Sequence, residues 1–227
     1  NYAKRDHEIK IPKVKEQGIA GFTTENAFYH LGGRFRASYR PLNDAIISGR
    51  LRGAAGVVGC NNPKHVADHG HVEMIKELIR NDVLVVSTGC GALAAGKAGL
   101  LRPDTALDCC GAGLREICEA VGIPPVLHTG ACVDNSRILT ILSNMVAEGG
   151  LGEDICDLPV AGSAPEWMSE KAVAIGMYFV ASGVYTVIGD PLPITGSENV
   201  RQYLTEGIAE EFGGKWAFEP DPVKAAQ

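Results

Sequence analysis

From about residue 54 onward, short apolar runs alternate with longer amphipathic stretches. The apolar runs are continuous, which is typical of strands buried on both faces of a sheet. The stretches between them have helical spacing, and the connections are short. This order predicts right-handed βαβ units and an α/β fold, a doubly wound, mainly parallel sheet flanked by helices. We predict strands at about 54–59, 83–87, 124–128, 157–161 and 184–188, and helices at about 66–80, 91–99, 110–121, 134–148, 166–182 and 198–212.

The two ends of the chain fit this pattern less clearly. Two shorter helices are predicted at about 21–33 and 41–50, ahead of the first strand. The tail after Gly213 and Gly214 contains two prolines and is predicted to be an irregular surface strap. We expect residues 1–227 to form a single domain. Because the first residue is Asn1 rather than Met, we expect that domain to come from a longer polypeptide.

Composition limits the partners and the compartment. A net charge of −6 and a pI near 5.5 argue against nucleic acid or an anionic membrane surface as the partner. No apolar run approaches the roughly 20 residues that span a bilayer, so no transmembrane segment is expected, and no secretory leader is apparent. Seven cysteines, an odd number, favour reduced thiols or metal ligands over a disulfide framework. We therefore expect a cytoplasmic protein.

Three of the predicted strands end at a glycine that is followed within two residues by a cysteine, namely Cys60, Cys90 and Cys132. The carboxyl ends of parallel strands lie along one edge of a sheet, so the three thiols should converge there. Helix N-termini at that edge should lower the thiol pKa values and favour thiolates, which bind metals. The long spacing does not match a CxxC zinc site. Thiolates from three separate strands fit a multi-iron cluster better.

The remaining cysteines have simpler explanations. Cys118 lies on the apolar face of a predicted helix and is expected in the core, since free cysteine is among the most buried residue types. Cys156, at the start of a predicted strand, should lie at the opposite edge of the sheet. Cys109 and Cys110 are adjacent, so at most one of them could reach the metal site.

Four histidines are also candidates for metal binding. His65, His69 and His71 are separated by Gly70 in a way that breaks helical spacing, and we interpret them as solvated loop residues. His128 is the better candidate because it stands at a strand end itself.

A lysine completes the candidate chemistry. The segment from Ser163 to Glu166 has the spacing of a capping box that opens the predicted helix 166–182. Lys171 and Ile175 follow on one face of that helix. A helical lysine is most often a solvated surface residue. The apolar flanks of this one would also allow it to point a cation toward the same edge as the thiols.

Four motifs stand in a fixed order along the chain: GVVGCNNPK at 56–64, TGC at 88–90, GACVDNSR at 130–137 and APEWMSEKAVAIG at 164–176. Over residues 18 to 205 the sequence resembles the anaerobic, nickel-containing carbon monoxide dehydrogenases, specifically their C-terminal Rossmann-like domain. The resemblance implies a nickel–iron–sulfur cluster of the Ni-4Fe-4S type and the reversible reaction CO + H2O to CO2, two electrons and two protons.

The resemblance also implies roles for five residues. By this likeness, Cys60 and Cys90 ligate irons of the cubane part of the cluster and Cys132 ligates nickel. The lysine that matches Lys171 stabilises the bound carboxylate, and the isoleucine that matches Ile175 packs over the substrate pocket.

Further parts of the family's machinery are expected outside this chain. The resemblance places a histidine ligand, further cysteine ligands, a catalytic histidine and additional 4Fe-4S clusters in upstream domains of the same subunit. It implies a homodimer and a ferredoxin-type electron acceptor. Two alternatives remain open from the sequence: a hybrid-cluster or hydroxylamine-reductase type of domain, and a metal-free scaffold domain that only docks to partner subunits.

Overall fold

The computed structural model describes residues 15–32, 38–194 and 196–227, without the side chains of residues 106 and 107. Six strands of this part of the chain form one sheet of order β3-β2-β1-β4-β5-β6, and every neighbouring pair is parallel. The strands are β1 (Gly53–Val57), β2 (Val83–Thr88), β3 (Val126–Gly130), β4 (Val160–Ala164), β5 (Tyr185–Ile188) and β6 (Trp216–Phe218).

Helices connect the strands. The described α-helices are α1 (Thr24–Leu31), α2 (Arg40–Ile47), α3 (His69–Arg80), α4 (Gly89–Lys97), α5 (Thr105–Cys109), α6 (Ala112–Val121), α7 (Ser136–Glu148), α8 (Glu170–Ala181), α9 (Glu198–Gln202), α10 (Ile208–Phe212) and α11 (Pro222–Ala226). Two short 3-10 turns, Cys132–Asn135 and Ile155–Asp157, precede α7 and β4, and a π-helical turn, Tyr203–Gly207, joins α9 to α10.

The strand order explains how the helices cover the sheet. The chain begins in the middle with β1, moves outward to β3, returns to β4 beside β1, and then moves outward in the other direction to β6. Because parallel crossovers are right-handed, this reversal places the two sets of helices on opposite faces. The predicted doubly wound, parallel α/β fold is confirmed.

The central strand β1 is made of small residues, which allows neighbouring backbone to approach closely. At Gly53, whose φ is +153°, a side chain would overlap the carbonyl oxygen of Pro159, just ahead of β4. Strand β2 is apolar up to its last two residues, Ser87 and Thr88, and both of these polar side chains are buried. The centre of the sheet is therefore tightly packed, up to the buried ends of its strands.

The fourth strand lies three residues later than predicted. Residues 155–157 form a 3-10 turn capped by the Asp154 side chain instead of starting the strand. Cys156 is exposed in that turn and lies against Gly183 and Gly213, which precede β5 and β6. It is therefore at the amino end of the strands, opposite to the other strand-end cysteines, as expected.

The prediction of an irregular tail was wrong. Residues 216–218 add a sixth strand beside β5, and α11 packs against α3. Trp216 is 2% exposed, and its indole lies against Gly176 of α8, where a side chain would overlap the ring. The two glycines and the prolines of the tail mark the ends of these short elements rather than a loop. Gly33, at the end of the predicted helix 21–33, is outside the described residues.

None of the helices in the described part of the chain combines the length and the hydropathy that crossing a bilayer requires.

Candidate metal centre

A cavity of about 220 Å³ opens at the carboxyl ends of the central strands. It lies where the strand order reverses between β1 and β4, the place at which doubly wound sheets bind ligands. Cys60, Cys90 and Cys132 all line it, together with Lys171 and Ile175 from α8. The structure therefore brings three thiols from three strand ends into one site, although 72 residues separate the first from the last.

Cys90 and Cys132 are held next to each other by a glycine. Gly89 begins α4 with a φ of +55°, and a side chain at this position would overlap the sulfur of Cys132. The Thr88 hydroxyl also donates a 2.5 Å hydrogen bond to the side-chain oxygen of Asn135, in the turn that carries Cys132. The end of β2 and the end of β3 are thus tied together directly beside the two thiols.

Cys60 lies close to the segment that precedes α8. It follows Gly59, which has a φ of +107°, and its sulfur lies 3.9 Å from the hydroxyl oxygen of Ser169. Ser169 is the residue that precedes α8. The Cys60 thiol is therefore near the beginning of the helix that carries the lysine.

The pKa of the Cys90 thiol is raised rather than lowered. Burial is the largest cause, and repulsion from Cys132 and then from Cys60 adds to it; an N–H group of Asn61 acts weakly in the opposite direction. Burial, together with repulsion from the other two thiols, therefore outweighs the expected effect of the helix N-terminus on the Cys90 pKa. A positively charged group among them would reverse this balance.

The three thiols give the cavity side chains that can bind metals. Within the described residues, no three His, Cys, Asp or Glu side chains converge closely enough to hold one metal ion. The three thiols nevertheless share a cavity. Thiolates are the usual ligands of zinc and of iron–sulfur clusters, so the side chains of this cavity are chemically suited to a metal group.

Lys171 and Ile175 stand one helical turn apart and both line the cavity. Lys171 is exposed at the cavity mouth, and no ion pair among the described residues involves it. The cavity is otherwise mostly apolar, with Val58, Ala172 and Phe179 among its lining residues. The lysine thus lines the cavity and is exposed to solvent.

The predicted capping box was wrong. Ser163 belongs to β4, and α8 begins only at Glu170. The Glu166 side chain is 1% exposed and accepts hydrogen bonds from the N–H groups of Asp68, at 3.2 Å, and Gly70, at 2.7 Å. It therefore caps the N-terminus of α3, which follows the Cys60 loop. Residues 165–169 form the loop that carries Glu166 across to α3.

The interpretation of the histidines as solvated loop residues was wrong for His71. Gly70 lies inside α3, and His71 is completely buried, with its Nε2 2.8 Å from the carbonyl oxygen of Cys60. Burial lowers the pKa of this imidazole. His65 is half-buried and pairs with Asp190 at 2.8 Å, whereas His69 is exposed as expected.

A helical pattern could have identified His71 as a buried residue. Met74, Ile75 and Leu78 follow it at the third, fourth and seventh positions, which places the histidine on the apolar face of α3. His128, the histidine that the sequence favoured, does not line the cavity. It is half-buried in β3, where its Nδ1 accepts a 3.2 Å hydrogen bond from the N–H of Gly130.

Comparison with known proteins agrees with these features. The Prismane/CO dehydrogenase family matches residues 1–223. Carbon monoxide dehydrogenase 1 of Methanosarcina mazei is 52% identical over the whole chain, which covers 35% of that protein. The carbon monoxide dehydrogenase/acetyl-CoA synthase subunit beta of Moorella thermoacetica is 41% identical over 96% of the chain and 34% of that protein.

Solved structures show the same fold. A nickel-free carbon monoxide dehydrogenase from Thermococcus sp. AM4 superposes with a TM-score of 0.90 at 52% identity, over 96% of this chain and 33% of that one. The chain thus spans about a third of the length of the relatives that it matches. Because the family match covers nearly all of the sequence, the chain belongs to the Prismane/CO dehydrogenase family.

Proposed function

We propose that this chain forms part of a nickel-dependent carbon monoxide dehydrogenase, which interconverts CO and water with CO2, two electrons and two protons. The observation that carries the proposal is the single cavity in which three strand-end thiols meet Lys171 and Ile175. The names of the 52% and 41% identical relatives support the same reaction.

The cofactor that we propose is a nickel–iron–sulfur cluster of the Ni-4Fe-4S type. Cys60 and Cys90 would bind irons, and Cys132 would bind nickel. The fit is supported by three thiols that line one cavity. A cationic group among them would offset the repulsion of the Cys90 thiolate by Cys132 and Cys60, which adds to burial in raising its pKa. When bound, such a cluster supplies a redox-active, Lewis-acidic centre for CO and water.

The residues of α8 have two tasks in this proposal. The Lys171 ammonium group stabilises the negative charge that develops on a carboxylate oxygen in the cavity. Because none of the described carboxylates pairs with it, its charge is available to a substrate. Ile175 and the neighbouring apolar side chains exclude water, which strengthens the interaction between the two charges.

Upstream domains of the same subunit would complete the site. Four large apolar side chains at this edge of the sheet are exposed: Val66 at 76%, Leu93 at 57%, Val133 at 80% and Met168 at 56%. They lie on segments that follow β1, β2, β3 and β4, as the three cysteines and Lys171 do. An exposed apolar rim of this kind favours a covering protein surface. We propose that this surface provides the remaining cluster ligands and the additional 4Fe-4S clusters.

The proposed context is an anaerobic, cytoplasmic homodimer that exchanges electrons with a ferredoxin-type acceptor. All seven cysteines are free thiols, which favours a reducing compartment. The dimer and the acceptor are inferred from the likeness to the family alone.

The test is anaerobic purification of the native polypeptide that carries this sequence, followed by nickel, iron and sulfide analysis and a CO oxidation assay. We expect all three elements and CO-dependent dye reduction. Cys60→Ser, Cys90→Ser and Cys132→Ser should each lower the metal content, while Cys156→Ser, on the exposed turn at the opposite edge, should not. Iron without nickel would indicate a hybrid-cluster type instead, and the absence of metals would indicate a scaffold domain.

A further inference from the structure

His71 is the one completely buried histidine among the described residues. Its Nε2 lies 2.8 Å from the carbonyl oxygen of Cys60. A carbonyl oxygen can only accept a hydrogen bond, so Nε2 carries the hydrogen and donates it. The imidazole thus holds the main chain of a residue that lines the metal cavity.

The opposite side of the ring faces the segment of Cys90. The Nδ1 atom is buried and has no hydrogen-bond partner in the described part of the chain. A side chain at Gly91 would stand 3.3 Å from this Nδ1 and 2.9 Å from the carbonyl oxygen of Val57, so α4 comes close to the ring only because residue 91 is a glycine. The imidazole is therefore wedged between the backbone of Cys60 and the first turn of α4, which contains Cys90.

The helix that carries His71 is fixed at its start. The Glu166 carboxylate accepts the N–H groups of Asp68 and Gly70, and the Asp68 carboxylate pairs with Lys97 at the end of α4. The main chain around Cys60 is tied to the same loop, because the Asn62 N–H donates to the Glu166 carbonyl at 3.1 Å. The ring therefore has little freedom to follow a displaced Cys60 loop.

We propose that His71 is a positioning residue, which sets the separation of the Cys60 and Cys90 thiolates and thereby the geometry of the cluster that they bind. This inference depends on the proposed function, since it takes both cysteines as cluster ligands. His71 does not contact the substrate and is not a catalytic residue. Its effect reaches the cluster through the Cys60 carbonyl on one side and the Gly91 backbone on the other.

The experiment compares three substitutions in the native polypeptide that carries this sequence. His71→Gln places an amide N–H at the same number of bonds from Cα as Nε2 and can still donate to the Cys60 carbonyl. His71→Asn is one bond too short, and His71→Leu has no donor. Cluster content, the electron paramagnetic resonance spectrum and the reduction potential are measured for each, with His128→Leu as a control histidine outside the cavity.

We expect His71→Leu and His71→Asn to lower cluster retention by about 10- to 100-fold, the usual effect of losing a residue that orients a ligand, or to shift the spectrum and potential of the cluster that remains. His71→Gln should restore the parental spectrum. If His71→Leu does not fold, the comparison of Gln with Asn gives the same information.

Identical spectra, potentials and cluster content for Gln and Asn would overturn the positioning role. A parental protein that contains no iron–sulfur cluster would instead overturn the proposed function, so the two failures are distinguishable.

Discussion

Gly89 lies against the sulfur of Cys132, and this contact leaves no room for a side chain at residue 89. The first carbon of such a side chain would overlap the Cys132 sulfur. The positive φ of Gly89 also excludes most other residues. The glycine before Cys90 therefore does more than turn the chain, because it provides the space in which a second thiol approaches the first.

We predict that Gly89→Ala displaces the Cys132 sulfur and that nickel is lost from the native protein before iron. Metal analysis of the purified variant checks this. The matched control is Gly122→Ala, where φ is +77° and no atom lies within 4 Å of the new methyl group. Alanine in a left-handed backbone conformation costs roughly 1–2 kcal/mol, and both variants have this strain. Equal nickel loss in both would show that the strain, and not the collision with sulfur, is responsible.

Lys171→Ala should lower CO turnover by about 10²- to 10³-fold, the usual effect of removing one group that stabilises developing charge. Nickel and iron content should persist, because the lysine is not a metal ligand. Cys132→Ala should instead lose nickel first, and CO turnover should fall because the nickel is lost. Lys215→Ala is the control, since that lysine is exposed and lies over the Tyr185 ring, away from the cavity. A Lys171 variant with near-normal turnover would leave this residue as an ordinary surface lysine.

The 227-residue chain by itself should bind metal weakly and should not oxidise CO. The described residues contribute three thiols to the cavity, which leaves several coordination positions of a cluster open to water and oxygen. The measurement is iron and nickel stoichiometry after anaerobic reconstitution, together with the CO oxidation rate. A chain that turns over CO alone would show that the other ligands come from a different source.

The stability of the chain should fall as the pH rises above about 8.5, the ordinary pKa of a cysteine in an unfolded chain. Burial raises the pKa of Cys118 to about 12. Between these values the unfolded chain loses the proton that the folded chain keeps, so the free energy of unfolding decreases with pH. Cys118→Val removes the group, and its unfolding curves at pH 8 and 10.5 should differ less than those of the parent chain. An unchanged difference would contradict this assignment.

Trp216→Ala should destabilise the chain by about 3–5 kcal/mol, the usual cost of truncating a buried aromatic residue. Its indole is buried against Gly176, and its Nε1 has no hydrogen-bond partner among the described residues. Trp216→Phe should therefore retain most of the stability, because only packing is reduced. Urea unfolding of both variants gives the comparison. If alanine and phenylalanine cost the same, β6 does not depend on the volume of this ring.

The sheet and the meeting of its thiols could be predicted because both follow from local rules. Apolar runs that end at glycines indicate parallel strands, and parallel strands put their ends at one edge. The position of β4 could not be predicted from the same rules. Residues 155–157 are held in a turn by the Asp154 and Asp157 side chains, and the apolar residues Ile155 and Leu158 in and after that turn look like the start of a strand.

The contacts that hold the site together were harder to foresee because they join distant segments. Glu166 has the spacing of a helix cap, yet its carboxylate caps α3, 96 residues away from it in sequence at Gly70. The burial of His71 could have been inferred from the apolar positions that follow it. Its contact with the Cys60 carbonyl could not, since spacing along a chain does not define which backbone atom a buried ring meets.

The return of the chain to the middle of the sheet divides the site between two halves of the sequence. All three cysteines follow strands of the first half, β1 to β3, whereas Lys171 and Ile175 belong to the segment after β4. Substitutions in α8 therefore alter one part of the cavity and leave the three cysteines of the first half in place. Under the proposed function, the first half of the sequence holds the metals and the segment after β4 acts on the substrate, so relatives can diverge in reactivity through α8 while they keep the same three cysteines.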